Sequence, residues 1–437
     1  DSETLVISYI GFENDTIHVD SENVKLEIVL REGLSLGEVN VVRRRFGTTK
    51  LRSSAMNVDI ISSAELSRAA CCNLGESFVT NPSVDVSYSD AATGAKQIKL
   101  LGLSGTYVQM MTENMPNFRG LASLYGLTYI PNYRGAAAPY GLGYVPGPWM
   151  QSIQVSKGSS SVKNGYESIT GQINVEFKKP QLPEADWVSA NLFASSTGRY
   201  EANADATLKL SKRWSTSLLA HYENETMAHD ANHDGFADIP RVEQYNLWNR
   251  WAYMGDHYVF QAGIKALSEW RNSGQVNHGG NPGQELYKIG IDTRRYEAFT
   301  KNAYIFNKEK NTNLALILQG TFHNQDAVYG HKLYDVDQTN VYASLLFETE
   351  FSKQHSLSTG LSFNYDGYDQ RYRLTNDVEL PRLKSFEKES VPGAYVQYTY
   401  NLEDKLILMG GIRGDYSSMH GFFVTPRAHV KYNPNEF

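Results

Sequence analysis

From Trp187 onward, hydrophobic and polar residues alternate with a period of two, in segments of roughly 9–13 residues. Along 214–222, Trp214, Thr216, Leu218, Ala220 and Tyr222 share one face; Ser215, Ser217 and His221 share the other with Leu219. Along 258–266, Tyr258, Phe260, Ala262, Ile264 and Ala266 oppose Val259, Gln261, Gly263 and Lys265. Along 314–322, Leu314, Leu316, Leu318 and Phe322 oppose Gln319 and Thr321. One face is nearly free of charge, whereas the other accepts Lys and Gln. The pattern predicts about twelve strands before the chain stops at Phe437.

The connectors alternate in length. Short ones fall at 210–214, 254–258, 307–313, 352–356 and 401–405, and long loops are expected over 224–243, 268–289, 323–336 and 366–390. Short turns on one side and long loops on the other are the pattern of outer-membrane β-barrels. A soluble sandwich also gives strands an apolar face, so no single strand decides between the two. No apolar run reaches the roughly 18 residues of a helical span, which excludes a helical membrane protein. Barrel strands need no such run.

The first 182 residues read differently. Residues 1–35 hold two alternating runs, at 5–12 and 24–30, that suit a small β-sandwich. Residues 36–55 read as a linker with a basic tail, mobile around 43–55. Residues 56–182 read as a compact mixed α/β domain, with a short helix starting at Ser62 or Ser63. Its strands are expected near Gln97–Leu101, Tyr107–Met111, Ser152–Ser156 and Gly171–Phe177. Residues 117–131 and 132–146 nearly repeat each other. Two copies cannot found a solenoid, so this is a long, aromatic, Gly-rich loop. Residues 183–437 carry the alternating strands.

Composition adds little. Aromatics make up 12%, with 28 Tyr, enough for interfacial girdles. The mean hydropathy of -0.43 would also suit a soluble protein. A net charge of -7 without basic runs argues against nucleic acid. The two cysteines, Cys71 and Cys72, are adjacent and make no disulfide framework.

Candidate chemistry is sparse. Asp230, Asn232, Asp234, Phe236 and Asp238 follow the spacing of a calcium loop, with Gly235 at the sharp turn. Arg241 stands where the bidentate Glu belongs, and Glu243 is the substitute. The same residues also read as an acidic surface loop. Cys71, Cys72, Met110 and Met115 could serve as soft-metal ligands for copper or be ordinary buried side chains. Arg119, Tyr125, Tyr129, Arg134, Tyr140, Tyr144 and Trp149 suit an aromatic, anionic cargo, and packing against a wall would also explain them. Loop histidines His229, His233, His278, His323 and His331 could meet haem iron. No nucleophile elbow, HExxH or P-loop occurs, and no catalytic residue is expected.

Three segments together resemble the TonB-dependent outer-membrane receptors. One is Gln97 to Asn117, similar to a plug motif, with Glu113-Asn114-Met115-Pro116 where many relatives have Asp-Gly before Pro. Another is Pro148 to Pro180, similar to the plug's closing motif, with Ile153-Gln-Val-Ser-Lys-Gly and Ser168-Ile-Thr-Gly-Gln-Ile-Asn-Val. The third is Gly410-Gly-Ile-Arg-Gly-Asp, followed by Pro426-Arg427, similar to a barrel strand pair. The resemblance covers residue 36 to the end.

It implies a plug inside an all-β transmembrane barrel of about 22 strands, of which this chain holds the first half. Residues 1–35 resemble the end of the carboxypeptidase-regulatory-like sandwich of Bacteroidetes receptors. Leu36, Glu38, Val39, Val41 and Val42 resemble a TonB box, a strand that can add to a partner's sheet edge. The implied function is import of a metal complex, a ferric siderophore ahead of haem, cobalamin or copper. The implied partners are the TonB–ExbB–ExbD complex, outer-membrane lipid and lipopolysaccharide, and a surface lipoprotein. No cofactor is required beyond a structural Ca2+.

Overall fold

The computed structural model describes residues 3–7, 15–19, 49–51, 54–68, 72–78, 81–90, 93–116, 140–182, 185–276 and 285–434. The first strands, β1 (Glu3–Ile7) and β2 (Asp15–Val19), pair antiparallel. An inner domain follows. It comprises β3 (Thr49–Leu51), β4 (Asn57–Ser62), α1 (Ser63–Arg68), β5 (Val84–Asp90), β6 (Ala95–Leu100), β7 (Leu103–Ser104), β8 (Val108–Thr112), β9 (Met115–Pro116), β10 (Met150–Lys157) and β11 (Gly171–Phe177).

Six of these form a mixed sheet in the order β3-β4-β10-β11-β8-β9, with β11 and β8 parallel; β5, β6 and β7 form a second, small sheet. Every residue of β11 is buried, as expected for a central strand covered on both faces. Gly171 opens it where a Cβ would collide with the Leu100 side chain and the Ser156 carbonyl, so only glycine lets the two sheets meet there. The helix expected near Ser63 is α1, six residues long.

The rest of the chain is one antiparallel sheet of twelve strands in sequence order. They are β12 (Val188–Ala194), β13 (Arg199–Lys209), β14 (Trp214–Glu225), β15 (Arg241–Met254), β16 (Tyr258–Gly274), β17 (Lys288–Asn307), β18 (Thr312–Tyr329), β19 (Lys332–Ser352), β20 (His355–Arg373), β21 (Leu383–Leu402), β22 (Leu406–Ser417) and β23 (Gly421–Tyr432). Among the described residues, β12 and β23 are its two edges.

The sheet curves around the inner domain, and its burial inverts the usual rule. Ser215, Ser217, His221, Gln261, Lys265, Gln319 and Thr321 point inward and are buried. Their neighbours Trp214, Leu218, Ile264, Leu316 and Phe322 point outward and are exposed, Ile264 by 70%. A continuous apolar band facing outward is stable only against another apolar phase, which a bilayer supplies. No helix among the described residues is long and apolar enough to cross a membrane, and these strands need none.

One expected loop is absent. Residues 323–336 are the ends of β18 and β19, joined only by Gly330 and His331. Gly330 has φ 61°, which lets the chain reverse in two residues. Alternation continues through the hairpin, with His323, Gln325, Ala327, Tyr334 and Val336 all buried on the inner face.

Candidate functional site at the interface of inner domain and wall

Among the side chains that fasten the inner domain to the wall, three groups carry most of the charge, beside the bonds of Gln244, Asn246, Lys265 and Arg271 to the Gly143, Tyr144 and Thr93 carbonyls. The first centres on Glu113. Glu113 and Asn114 have φ of 51° and 61°, so they form the tight reversal between β8 and β9. The turn presses the Glu113 side chain, 0% exposed, into the wall.

There Arg250 Nη2 of β15 lies 2.5 Å from one carboxylate oxygen. Lys301 Nζ of β17 lies 3.6 Å from the other and donates to the Glu113 carbonyl at 2.8 Å. Arg250 also donates to the Lys178 carbonyl at 2.7 Å. A fully buried carboxylate is tolerable only when paired in this way.

The second group holds the 160–168 turn. Arg427 of β23 donates through Nη1 to the Ser160 carbonyl and hydroxyl (both 3.0 Å) and to the Ser161 carbonyl (3.2 Å). Through Nη2 it donates to the Tyr166 and Ser168 carbonyls, both at 3.0 Å. The planar guanidinium suits this fan of acceptors. Ser161 Oγ donates to Gln397 at 2.5 Å, and Lys163 pairs with Glu348 at 2.9 Å. Glu348 is also the main reason the Lys163 ammonium holds its proton more tightly than usual.

The third group surrounds Arg199 of β13, which lies 2.7 Å from Glu76 of the inner domain, 2.6 Å from Glu201 and 3.1 Å from Glu223. Burial opposes the Glu76 charge, but Arg199 and then Lys96 outweigh it and hold the carboxyl at about 2. Burial pushes the neighbouring Cys72 thiol up.

The expected site residues divide. Leu36, Glu38, Val39, Val41, Val42, Cys71, Arg119, Tyr125, Tyr129, Arg134 and His278 lie outside the described residues. Tyr140, Tyr144 and Trp149 are not on an open apex but buried in the packing between domain and wall. The Arg271 guanidinium lies 5.0 Å from the Tyr140 ring. Tyr144 faces His323, and Trp149 packs edge-on against His221. His323 is likewise no loop histidine but 1% exposed on the inner wall.

Cys72 is buried, and a thiol that keeps its proton is a poor metal ligand. Met110 and Met115 belong to the apolar core. Among the described residues, no group of three or more His, Cys, Asp or Glu could hold a metal.

In the 230–238 loop, Asp230 accepts from the Asp234 and Gly235 N–H groups, both at 3.0 Å. Asp234 accepts from Phe236 N–H at 2.8 Å, and Asp238 from Ala231 N–H at 2.6 Å. Asn232 accepts from Asp234 N–H at 3.2 Å. Glu243 is not part of this network; its carboxylate accepts from the Tyr245 hydroxyl at 2.8 Å.

Sequence reasoning missed the fastening residues. Arg250, Lys301, Arg427 and Lys265, which donates to the Tyr144 carbonyl at 3.0 Å, are cations at inward positions of otherwise regular strands, which was the available signal.

The model of the TonB-dependent receptor plug domain matches residues 50–172. No curated protein matches the sequence. Many solved structures are similar, and three of them illustrate the likeness. One chain of the FpvAI–pyocin S2 complex gives a TM-score of 0.71 at 13% identity, covering 99% of this chain and 62% of its own. The alcaligin outer-membrane receptor FauA from Bordetella pertussis gives 0.63 at 15%, covering 88% and 61%. The copper transporter OprC gives 0.63 at 14%, covering 87% and 58%. The chain thus spans about three-fifths of the length of these proteins. At such identities the likeness is one of fold.

Proposed function

We propose that this chain, a TonB-dependent receptor by its plug domain and plug-in-barrel fold, serves energy-driven import of a metal complex across the outer membrane. A ferric siderophore is the first candidate cargo, ahead of haem, cobalamin and copper. One observation carries the reading. The plug fills the space inside the wall, yet much of its hold is ionic and hydrogen-bonded, through Glu113, Arg427 and Glu76. These polar contacts can be exchanged for water as the plug moves, while the apolar contacts of Trp149 and Phe177 with Trp248 of the wall have to part as well.

TonB, powered by ExbB and ExbD, would engage residues 36–42 from the periplasm by adding a strand. Nothing chemical happens to the cargo. The likeness to a siderophore receptor and to a copper transporter supports a metal complex without choosing between them. We further propose that Ca2+ orders the external 230–238 loop by drawing together Asp230, Asn232, Asp234 and Asp238, whose side-chain oxygens accept the loop's own N–H groups in this structure.

The test is uptake of radioactive iron, offered as ferric siderophores, by cells carrying the full-length receptor with and without residues 36–42. Import predicts that the deletion abolishes uptake and leaves surface binding intact. A surface adhesin or sensor would show no receptor-dependent uptake in either case. Receptor-dependent copper uptake in the same assay would exchange the cargo and keep the mechanism.

A further inference from the structure

Two external loops are held in different ways. The 374–382 loop hangs from the wall. Arg373 at the end of β20 donates to the Val378 and Leu380 carbonyls at 2.8 and 3.4 Å, and to the His331 carbonyl at 3.4 Å. The 226–240 loop instead meets the plug at both of its stems, around the turn between β5 and β6.

At the outgoing stem, Pro240 sits on Gly94 of that turn. Gly94 has φ 67°, and a Cβ on it would stand 2.8 Å from Pro240 Cγ and 3.2 Å from Pro240 Cδ. Both the conformation and the close approach call for glycine. Beside it, Arg271 of β16 donates to the Thr93 carbonyl at 3.0 Å.

At the incoming stem, Thr226 donates its N–H and its hydroxyl to the Gly198 carbonyl, at 3.2 and 3.1 Å. Met227 packs on Gly198, where a Cβ would come within 2.6 Å of its Cγ. The next residue, Arg199, is paired with the plug's Glu76 at 2.7 Å. Glu76 in turn holds Lys96 at 3.2 Å, two residues beyond Gly94.

Between its stems the loop is tied to itself and to the end of β16. The Asp238 N–H donates to the His229 carbonyl at 2.7 Å. The Ala237 N–H donates to the Gly274 carbonyl at 2.9 Å, and the Val276 N–H to the Gly235 carbonyl at 2.8 Å. A loop bound together in this way follows its stems.

We infer that the plug's β5–β6 turn is the seat of the external 226–240 loop, so that the plug sets the loop's position at the cell surface. Such coupling is reciprocal. A plug that shifts the turn displaces the loop, and a ligand that fixes the loop from outside restrains the turn. The inference rests on the import reading above for the force that moves the plug, and the experiment separates the two.

The seat is tested by amide exchange in full-length Gly94→Ala, Pro240→Ala and the double variant. In Gly94→Ala the added methyl meets the Pro240 ring, and exchange at Ala237 and Asp238 should run about tenfold faster, with 374–382 unchanged. In the double variant the obstructing ring atoms are gone, and the rate should return to within about threefold of the wild type. Wild-type protection in β10 and β11 shows that each plug has folded. Unchanged exchange in Gly94→Ala, a double variant as fast as Gly94→Ala, or equal acceleration in 374–382 overturns the seat.

The coupling is read at Ala237→Cys, with a membrane-impermeant thiol reagent applied to energised and uncoupled cells. Labelling of the unsubstituted receptor sets the background from Cys71 and Cys72. Labelling should be faster in energised cells, and removal of residues 36–42 should erase the difference. Equal rates in both conditions overturn the coupling and leave import standing. Import itself fails only in the uptake assay, and the exchange result holds or falls without it.

Discussion

The plug and the wall bury opposite kinds of side chain. The plug has an ordinary interior, in which Leu74, Phe78, Ile98, Leu100, Ile153, Val155, Ile173 and Val175 pack together. The wall turns many polar residues inward and an apolar band outward. The difference shows what each part is built against. The plug meets water and its own core, whereas the wall meets plug on one side and lipid on the other. Their meeting surface is therefore rich in polar atoms, and a few buried charges hold it in register.

The comparison breaks most readily at Glu113. Replacing it with Ala removes the carboxylate from Arg250 and Lys301 and leaves two buried cations on backbone carbonyls, at a cost of about 3–5 kcal/mol. The plug should melt well below the barrel, as seen by protease digestion across a temperature ramp. Unchanged protection would mean the ion pairs do not hold the plug.

Arg427→Leu should come next. It orphans carbonyls at Ser160, Ser161, Tyr166 and Ser168 and should cost about 3 kcal/mol. Amide exchange should accelerate in 160–168 before it does in β10 or β11. Uniform acceleration would show that Arg427 supports the whole plug and not this turn.

Glu76 gives a smaller, pH-dependent effect. Its folded-state pKa of about 2 lies below the usual 4.5. The stability it contributes is therefore complete above about 4.5 and is lost as pH falls through about 2. The side chain is 30% exposed, so solvent screening reduces the effect to the order of 1–2 kcal/mol. Plug melting in the wild type should fall across that window, and Glu76→Gln should flatten the fall.

The smallest effect is local. Asp234→Ala should abolish the heat of Ca2+ binding in calorimetry of the intact receptor and leave plug stability unchanged. Identical heats from both proteins would remove the calcium loop.

The wall was legible because a period of two, held over strand after strand, states which way each side chain points. The same pattern was misread most at 323–336, while the loops expected over 268–289 and 366–390 lost their ends to β16, β20 and β21. At 323–336, outward Asn324, Asp326 and Asp335 resembled a polar loop, yet they sit at the ends of long strands. The inner face there, His323, Gln325, Tyr334 and Val336, kept the alternation. The plug's strands were legible too, from short apolar runs cut by Gly and Ser.

The fastenings were not legible. Glu113 and Lys301 are 188 residues apart, and no periodicity links them. Nor could composition tell whether Tyr140, Tyr144 and Trp149 face cargo or pack against wall, since an aromatic ring suits both. Only the packed structure decided that.

The most direct test of the account exchanges the two faces at adjacent positions. Ile264 is 70% exposed, while Lys265 is 4% exposed and donates to the Tyr144 carbonyl at 3.0 Å. The measurement is the unfolding free energy of full-length Ile264→Lys in lipid bilayers. A lipid-facing wall predicts a loss of about 2–4 kcal/mol at this open position. A variant as stable as the wild type would place Ile264 in water and contradict the account.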